Sequence, residues 1–183
     1  FEDAISGNNI RGVLQTFWAL ALANLVDYLE GRPMTARPDF TSAEMRTQVV
    51  IDASPDAVYD SLIDAEKASE WFGYPIGIEP YVGGRFAMGG LEAGFAAKIV
   101  ELEPGRKMSV DWGATGVTTW ELEDSGGKTR LTFVQSGFDT RRPPHAAWLG
   151  SVAGLASLRR FHELDNWQIW VSADLPEVSA VQG

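Results

Sequence analysis

Four side chains in this sequence are the candidate acid/base groups: Glu101, Asp111, Glu121 and His145. A general acid or base must be desolvated and within hydrogen-bond reach of its substrate. Alternation along their segments lets Glu101 and Glu121 face inward or outward. His145 follows Pro143 and Pro144, which reads as a loop position rather than the place of a base. Glu101 and His145 are kept as weak catalytic candidates. Other chemistries lack their residues. The chain has no cysteine, so a disulfide, a thiolate nucleophile and a zinc–thiolate site are all out of reach. Its two histidines, His145 and His162, do not have metal-ligand spacing, and no metal or cofactor is expected. Gly83-Gly84 and Gly89-Gly90 lack the helix start that a phosphate cradle needs and read as turns. No Gly-x-Ser-x-Gly elbow is present.

The second set of residues is apolar. Trp71, Phe72, Phe86, Met88, Phe95, Trp112, Trp120, Phe133, Trp148, Val152 and Leu155 are the candidate lining of a cavity for a small apolar molecule. Rings and aliphatics of this size suit such a ligand, and the indole N–H groups add polar handles. The same side chains also fill ordinary cores, and both readings stay open at this level.

These residues must be positioned by a few elements. Ala146 to Leu164 reads as one long helix, with Trp148, Leu149, Val152, Leu155, Ala156 and Leu158 on a shared face. Gly150, Ala153, Gly154 and Ser157 leave its other flank almost without bulk. Each interior glycine costs about 1 kcal/mol relative to alanine, so backbone or ligand is expected close to that flank. Before it, Met45 to Ala53 alternates as a strand. Ser54 caps a helix with Pro55 at its first position and Ala57, Val58, Ser61 and Leu62 inward. A short helix, Glu66 to Phe72, follows. Strands are then expected at Ile78 to Tyr81, Arg85 to Met88, Phe95 to Glu103, Lys107 to Trp112, Val117 to Glu123 and Thr129 to Gly137. By parity Met108, Val110 and Trp112 share a face, as do Thr118, Trp120 and Leu122, and Thr129, Leu131, Phe133 and Gln135. One apolar and one polar face is the signature of an antiparallel sheet covered on one side, and the long helix is the cover.

The N-terminal part is separate. Ile10 to Leu29 is an apolar helix with Ser6, Asn8 or Asn9 as cap and Gly31 and Pro33 as stop. Arg11, Gln15, Thr16, Asn24 and Asp27 interrupt the roughly 20 apolar residues that a membrane span needs. The organisation expected is a helix at 1–32, a linker at 33–44, a domain at 45–164 and a tail at 165–183, frayed from Pro176. Laying residues 1–34 on 131–164 matches Ser6 with Ser136, Gly7 with Gly137, Arg11 with Arg141, Trp18 with Trp148, Ala23 with Ala153 and Leu25 with Leu155. The N-terminal helix therefore reads as the end of an upstream copy of the same domain. A chain starting at Phe1 leaves room for one. Without its parent domain, that helix is expected to seek a greasy partner, in a homodimer, a swapped pair or a tandem contact.

Composition narrows the partners. A net charge of -10 argues against nucleic acid and against an anionic membrane. It suits a soluble, acidic, cytoplasmic protein, and 183 residues with 45% hydrophobic content suffice for one domain with a sizeable core.

Several segments occur in a recognisable order: Ile51-Asp52-Ala53-Ser54-Pro55, Trp71-Phe72, Gly83-Gly84-Arg85-Phe86, Glu101-Leu102-Glu103-Pro104, Trp112, Thr129-Arg130-Leu131, Ser136-Gly137-Phe138 and Trp148. Over about Met45 to Leu164 the chain resembles the Hsp90-ATPase-activator-homologue-1-like family of the START/Bet v 1 (SRPBCC) superfamily. The resemblance implies an α+β helix-grip fold: a curved antiparallel sheet wraps a long C-terminal helix, with an extra N-terminal helix in this chain. It also implies a hydrophobic cavity between sheet and helix. The function expected is non-covalent binding of a small hydrophobic or amphipathic ligand there. Lipid binding and a stress-response role belong to the same circle of relatives. Two alternatives remain: a protein-interaction module like the chaperone ATPase activator, and a cyclase- or hydrolase-like enzyme using the cavity.

Overall fold

The computed structural model describes residues 10–36 and 41–168, with backbone alone over residues 10–16. The expected caps Ser6, Asn8 and Asn9 and the tail from residue 169 lie outside the described residues. Helix α1 (Ile10–Leu29) comes first, then β1 (Met45–Ile51), α2 (Pro55–Ile63), α3 (Ala65–Phe72), β2 (Ile76–Ile78), β3 (Arg85–Met88), β4 (Ala97–Glu103), β5 (Lys107–Asp111), β6 (Val117–Asp124), β7 (Thr129–Ser136) and α4 (His145–Glu163). The strands form a seven-stranded antiparallel sheet in the order β1-β7-β6-β5-β4-β3-β2. Strands β1 and β2 lie at opposite edges, so α2 and α3, which join them, cross from one side of the sheet to the other. The architecture is α+β with a helix-grip arrangement.

Each element forms for a local reason. Ser54 Oγ accepts from the Ala57 N–H at 3.4 Å, and Pro55 opens α2. Asp64 closes α2 and caps α3, its Oδ1 accepting from Glu66 and Lys67 N–H at 3.0 and 2.9 Å. Gly73 ends α3 in the left-handed conformation at φ 68°, which a glycine adopts without a Cβ clash. Strand β1 alternates strictly, with Met45, Thr47, Val49 and Ile51 inward. The inward set continues through Ile99, Met108, Val110, Trp120, Leu122, Leu131 and Phe133 and meets Trp148, Val152, Leu155 and Leu158 of α4. Trp120 faces Phe133 across the β6–β7 ladder, and the rings continue to Trp148, with centroids 5.1 and 5.2 Å apart. Within α2 the inner face holds Tyr59 as well as Val58, Ser61 and Leu62, whereas Ala57 is exposed, contrary to its expected place. The strand expected at Ile78 to Tyr81 lies at Ile76–Ile78 instead, because Pro80 starts a turn in which Tyr81 accepts from Gly84.

Helix α1 packs along α4 on the side away from the sheet, with Leu20, Ala23 and Asp27 inward. Asp27 has no exposed surface. Its carboxylate accepts from Arg159 Nη2 at 2.5 Å and Arg160 Nη1 at 2.7 Å, with Arg32 Nε 3.4 Å away. Glu30 accepts from Arg160 at 3.1 Å, Arg160 Nε donates to the Trp167 carbonyl at 3.0 Å, and Arg32 also pairs with Glu163. A charge cluster this dry is held by mutual pairing, and removing one partner leaves the others uncompensated. The face of α1 that points away from α4 is apolar: Trp18 is 56% and Leu29 74% exposed, with Leu25 between them and Leu22 half-buried.

Two outcomes follow for stability. Asp27→Ala, which strands the buried Arg159 guanidinium and removes one partner of Arg160, is expected to cost about 3–5 kcal/mol in denaturant unfolding. Arg46→Ala, in an exposed pair with Glu44, costs less than about 0.5 kcal/mol. The second outcome concerns pH. Burial lowers the pKa of His162, with the Glu163 carboxylate opposing and the Lys67 ammonium adding to the shift. The unfolded chain then binds the extra proton first, so stability is lost as pH falls below the ordinary histidine value of about 6.5. Unfolding measured from pH 7 to pH 5 should show that loss, and His162→Phe should flatten it.

Candidate functional site

A cavity of about 380 Å³ lies between the sheet and the first half of α4. Its deep wall is buried: Leu62 from α2, Trp71 from α3, Phe86 from β3, Met108 from β5, Thr118 and Trp120 from β6, Gln135 from β7 and Leu155 from α4. Its rim is more open, made by Phe72, Met88, Trp112, Thr115, Ala146, Ala147, Gly150 and Ser151. Among the described residues, no carboxylate, imidazole or amine lines it.

The elements hold these groups firmly. Trp71 Nε1 donates to the Ser61 carbonyl at 2.8 Å, which ties α3 to α2 and points the indole at α4. Gly154 meets it there: a Cβ at that position would lie 3.4 Å from Trp71 Cζ3 and 3.5 Å from Phe72 Cε2. The bare flank of α4 thus has rings against Gly154 and the hollow against Gly150. Phe86 stands edge-on to Trp112 with centroids 5.7 Å apart, and is roughly parallel to Trp120 at 6.4 Å. Trp112 Nε1 donates to Thr118 Oγ1 at 2.8 Å, and Gln135 Nε2 donates to the Thr115 carbonyl at 2.8 Å.

Of the apolar residues singled out in the sequence, Trp71, Phe72, Phe86, Met88, Trp112, Trp120 and Leu155 come together around this space. Phe133, Trp148 and Val152 do not line it; they are fully buried and fill the core. Phe95 is a correction: it is 63% exposed in the loop before β4. Its parity matches Ala97 and Ile99, but pairing with β3 starts only at Ala97, beyond the Gly89-Gly90 and Gly94 turns.

The acid/base candidates all lie elsewhere. Counted by alternation from Ala97 and Ile99, Glu101 would face the core. A bulge at Val100 breaks that register, so that Ile99 opposes Val110 and Glu101 opposes Ser109 on the outer face. There Glu101 accepts from Ser109 Oγ at 3.0 Å and pairs with Lys107 Nζ at 2.9 Å. Its pKa is lowered, chiefly by the Lys107 hydrogen bond, which outweighs the opposing desolvation, with the Ser109 hydrogen bond and the Lys107 charge adding to the shift. Glu121 opposes Lys107 on that outer face, 3.9 Å from Arg46. Asp111 is exposed and accepts from the Gly113 N–H at 2.8 Å in a turn. His145 is the first residue of α4 rather than part of a loop, and it is exposed.

Residues 52–161 match the model of the family described as Activator of Hsp90 ATPase homolog 1-like protein, a span of more than half the chain. The chain belongs to that family. The match takes in the cavity and leaves α1 outside it. A comparison with curated proteins finds no match. Among solved structures, the chain is similar to a conserved protein from Enterococcus faecalis, at 20% identity and a TM-score of 0.56, covering 78% of this chain and 82% of that one. It is similar to a protein from Chromobacterium violaceum at 25% identity and a TM-score of 0.53, covering 67% and 99%. The Aha1 dimer from Colwellia psychrerythraea is similar at 20% identity and a TM-score of 0.55, covering 66% and 96%. These likenesses bear on the fold. Among the described residues no helix is long and apolar enough to cross a membrane.

Sequence reasoning missed Leu62, Met108, Thr115, Thr118, Gln135, Ala146, Ala147, Gly150 and Ser151 as lining residues. A signal existed for two of them. Parity puts Thr118 beside Trp120 and Gln135 beside Phe133 on the inward face, where a polar residue is out of place unless it has something to bind.

Proposed function

We propose that this protein binds a small hydrophobic or amphipathic molecule, without covalent chemistry, in the cavity between the sheet and α4. The observation that carries the reading is the lining itself. It is a pre-formed space of about 380 Å³, walled by rings and aliphatics with a few polar groups, and it falls within the size and character of small-molecule sites. Enzymatic use of the cavity has less support, since Glu101, Glu121 and Asp111 lie outside it and His145 is not among its lining residues. The family description also carries an activator role toward a chaperone ATPase. The hollow is the feature of this chain that favours ligand binding over that role.

Nile red, a neutral apolar dye, tests the reading together with native mass spectrometry of the purified protein. Trp112→Ala should weaken dye binding at least about tenfold, because it removes a large face of the rim. Ser151→Trp should abolish binding by filling the mouth, while Glu101→Gln leaves it unchanged. Retention of dye or of a co-purified molecule by the filled variant would count against the cavity as the site.

A second reading concerns α1. We infer that its outward face, with Trp18, Leu25 and Leu29 at helical spacing and exposed, meets a second copy of this chain. The sequence match of this helix with α4, whose counterpart residues Trp148 and Leu155 are buried, supports a partner of the same fold. The similar Colwellia protein is a dimer. Light scattering is expected to give a dimer that Leu25→Glu with Leu29→Glu converts to a monomer. A wild-type chain that stays monomeric at a concentration of roughly 100 μM, where even a weak dimer with a Kd of about 10 μM would be mostly associated, would remove this reading.

A further inference from the structure

Below the rim, the cavity wall is apolar except at Thr118 and Gln135, and that pair is specific about what it asks for. Thr118 and Gln135 oppose each other directly across the β6–β7 ladder, and both are buried below the rim. The Gln135 amide has its orientation fixed, because Nε2 donates to the Thr115 carbonyl at 2.8 Å. Its Oε1 is the end left over. That oxygen is buried and has no hydrogen-bond partner among the described residues, in a residue only 1% exposed. A buried carbonyl oxygen without a donor is costly, and a donor brought to it recovers that cost. The Thr118 hydroxyl is in the complementary condition. Its oxygen already accepts from the Trp112 indole at 2.8 Å, so its own proton is left to donate.

The two vacancies differ in sign: Gln135 Oε1 needs a donor, and the Thr118 hydroxyl can serve an acceptor. A hydroxyl group supplies both at once. A ketone or ether offers only acceptance and leaves Oε1 unpaired. A carboxylate does the same and adds a charge, which no ionisable lining residue would compensate. Around this pair the wall is made of flat rings. Phe86 lies 28° from the plane of Trp120 and 74° from that of Trp112, so flat ring faces bound one side of the space, with Leu62 and Leu155 elsewhere in the wall. Ring systems fill such a space with offset or edge contacts.

Resting on the cavity reading above, we propose that the molecule held here is a neutral alcohol or phenol with a ring body. Its hydroxyl donates to Gln135 Oε1 and accepts from the Thr118 hydroxyl, while its rings lie against Phe86, Trp112 and Trp120. The polar group enters the wall below the rim instead of facing solvent. This is a stronger statement than affinity for grease: it makes Gln135 the residue that chooses among molecules of equal size.

Three probes with the same body separate the possibilities: α-naphthol, naphthalene and α-naphthoate, titrated calorimetrically against the full chain. The wild type is expected to bind naphthol about tenfold more tightly than naphthalene, the difference of one satisfied buried hydrogen bond, with naphthoate weakest. In Gln135→Leu the naphthol advantage should shrink to less than about threefold while naphthalene binding persists, which a folding defect would not produce. Equal affinities for naphthol and naphthalene in the wild type, or naphthoate as the tightest of the three, would overturn the hydroxyl assignment and leave the apolar cavity standing. Failure of all three to bind would overturn both. The wild-type comparison decides the matter even if the Gln135 variant does not fold.

Discussion

A helix rests on a curved sheet only as far as its side chains reach, and in this protein they reach unevenly. Along one face of α4, Trp148, Val152, Leu155 and Leu158 fill the space down to Phe133 and the β1 core. Along the face of its first turns that borders Trp112 and Thr115, α4 offers Ala146, Ala147, Gly150 and Ser151. Opposite these small residues the sheet presents Phe86, Trp112 and Trp120, which have partners among themselves but none above. The hollow is therefore a mismatch of side-chain volume written into one helix. Interiors normally close such gaps to crystal-like density. Gly150, which leaves this one open, and Gly154, which lies against the Trp71 and Phe72 rings, cost helix stability of about 1 kcal/mol each.

A helix that touches its sheet over only part of its length needs holding from elsewhere. Helix α1 does this from the far side. The contact is apolar at Leu20 and Ala23 and ionic at Asp27, which sits between Arg159 and Arg160 with Arg32 near it. Buried ion pairs contribute less to net stability than their geometry suggests, because desolvation offsets attraction. What they add is a unique register. A sliding α1 would carry Asp27 away from two guanidinium groups at once, whereas apolar contacts tolerate a shift. Glu163 joins the same arrangement, pairing with Arg32 and accepting from the Asp52 N–H at 3.0 Å, so the end of α4 is fixed to the strand-β1 end of the sheet as well.

Much of this was legible in the sequence, because it rests on local periodicity. Strict alternation in β1, the Ser54-Pro55 start of α2 and the three- and four-residue spacing from Trp148 to Leu158 each specify an element and its inner face. The order of motifs then identified the helix-grip fold. What was not legible depends on departures from regularity. Phe95 has the parity of an inward residue but precedes the first ladder pair. Glu101 has the parity of an inward residue too, and one bulged position, Val100, turns it to the outer face. A single inserted residue in a strand leaves no mark in composition or hydrophobicity, so the strongest candidate for acid/base chemistry was the one whose position spacing could not fix. Asp27 was visible only as an interruption of an apolar helix. Its partners stand more than a hundred residues further along the chain, and nothing local announces them.

The polar pair in the wall brings these arguments together. A core that only had to be stable would place valine or leucine at 118 and 135, since each inward neighbour on those strands is apolar or buried. Instead both positions are polar, one oxygen is left without a partner, and the indole and amide beside them are held in fixed orientations by hydrogen bonds of 2.8 Å. Of the seven buried side-chain atoms without a partner among the described residues, only Gln135 Oε1 belongs to a residue lining the cavity, and it calls for a reason there. Packing supplies none here, because the same residues border a space that packing could have filled. A molecule that enters the hollow and completes the hydrogen bonding removes both anomalies at once, and it would stabilise the folded chain by mass action as it did so. The mismatch in volume and the mismatch in hydrogen bonding occur at the same place, which is the physical ground for reading that place as a site rather than as loose packing.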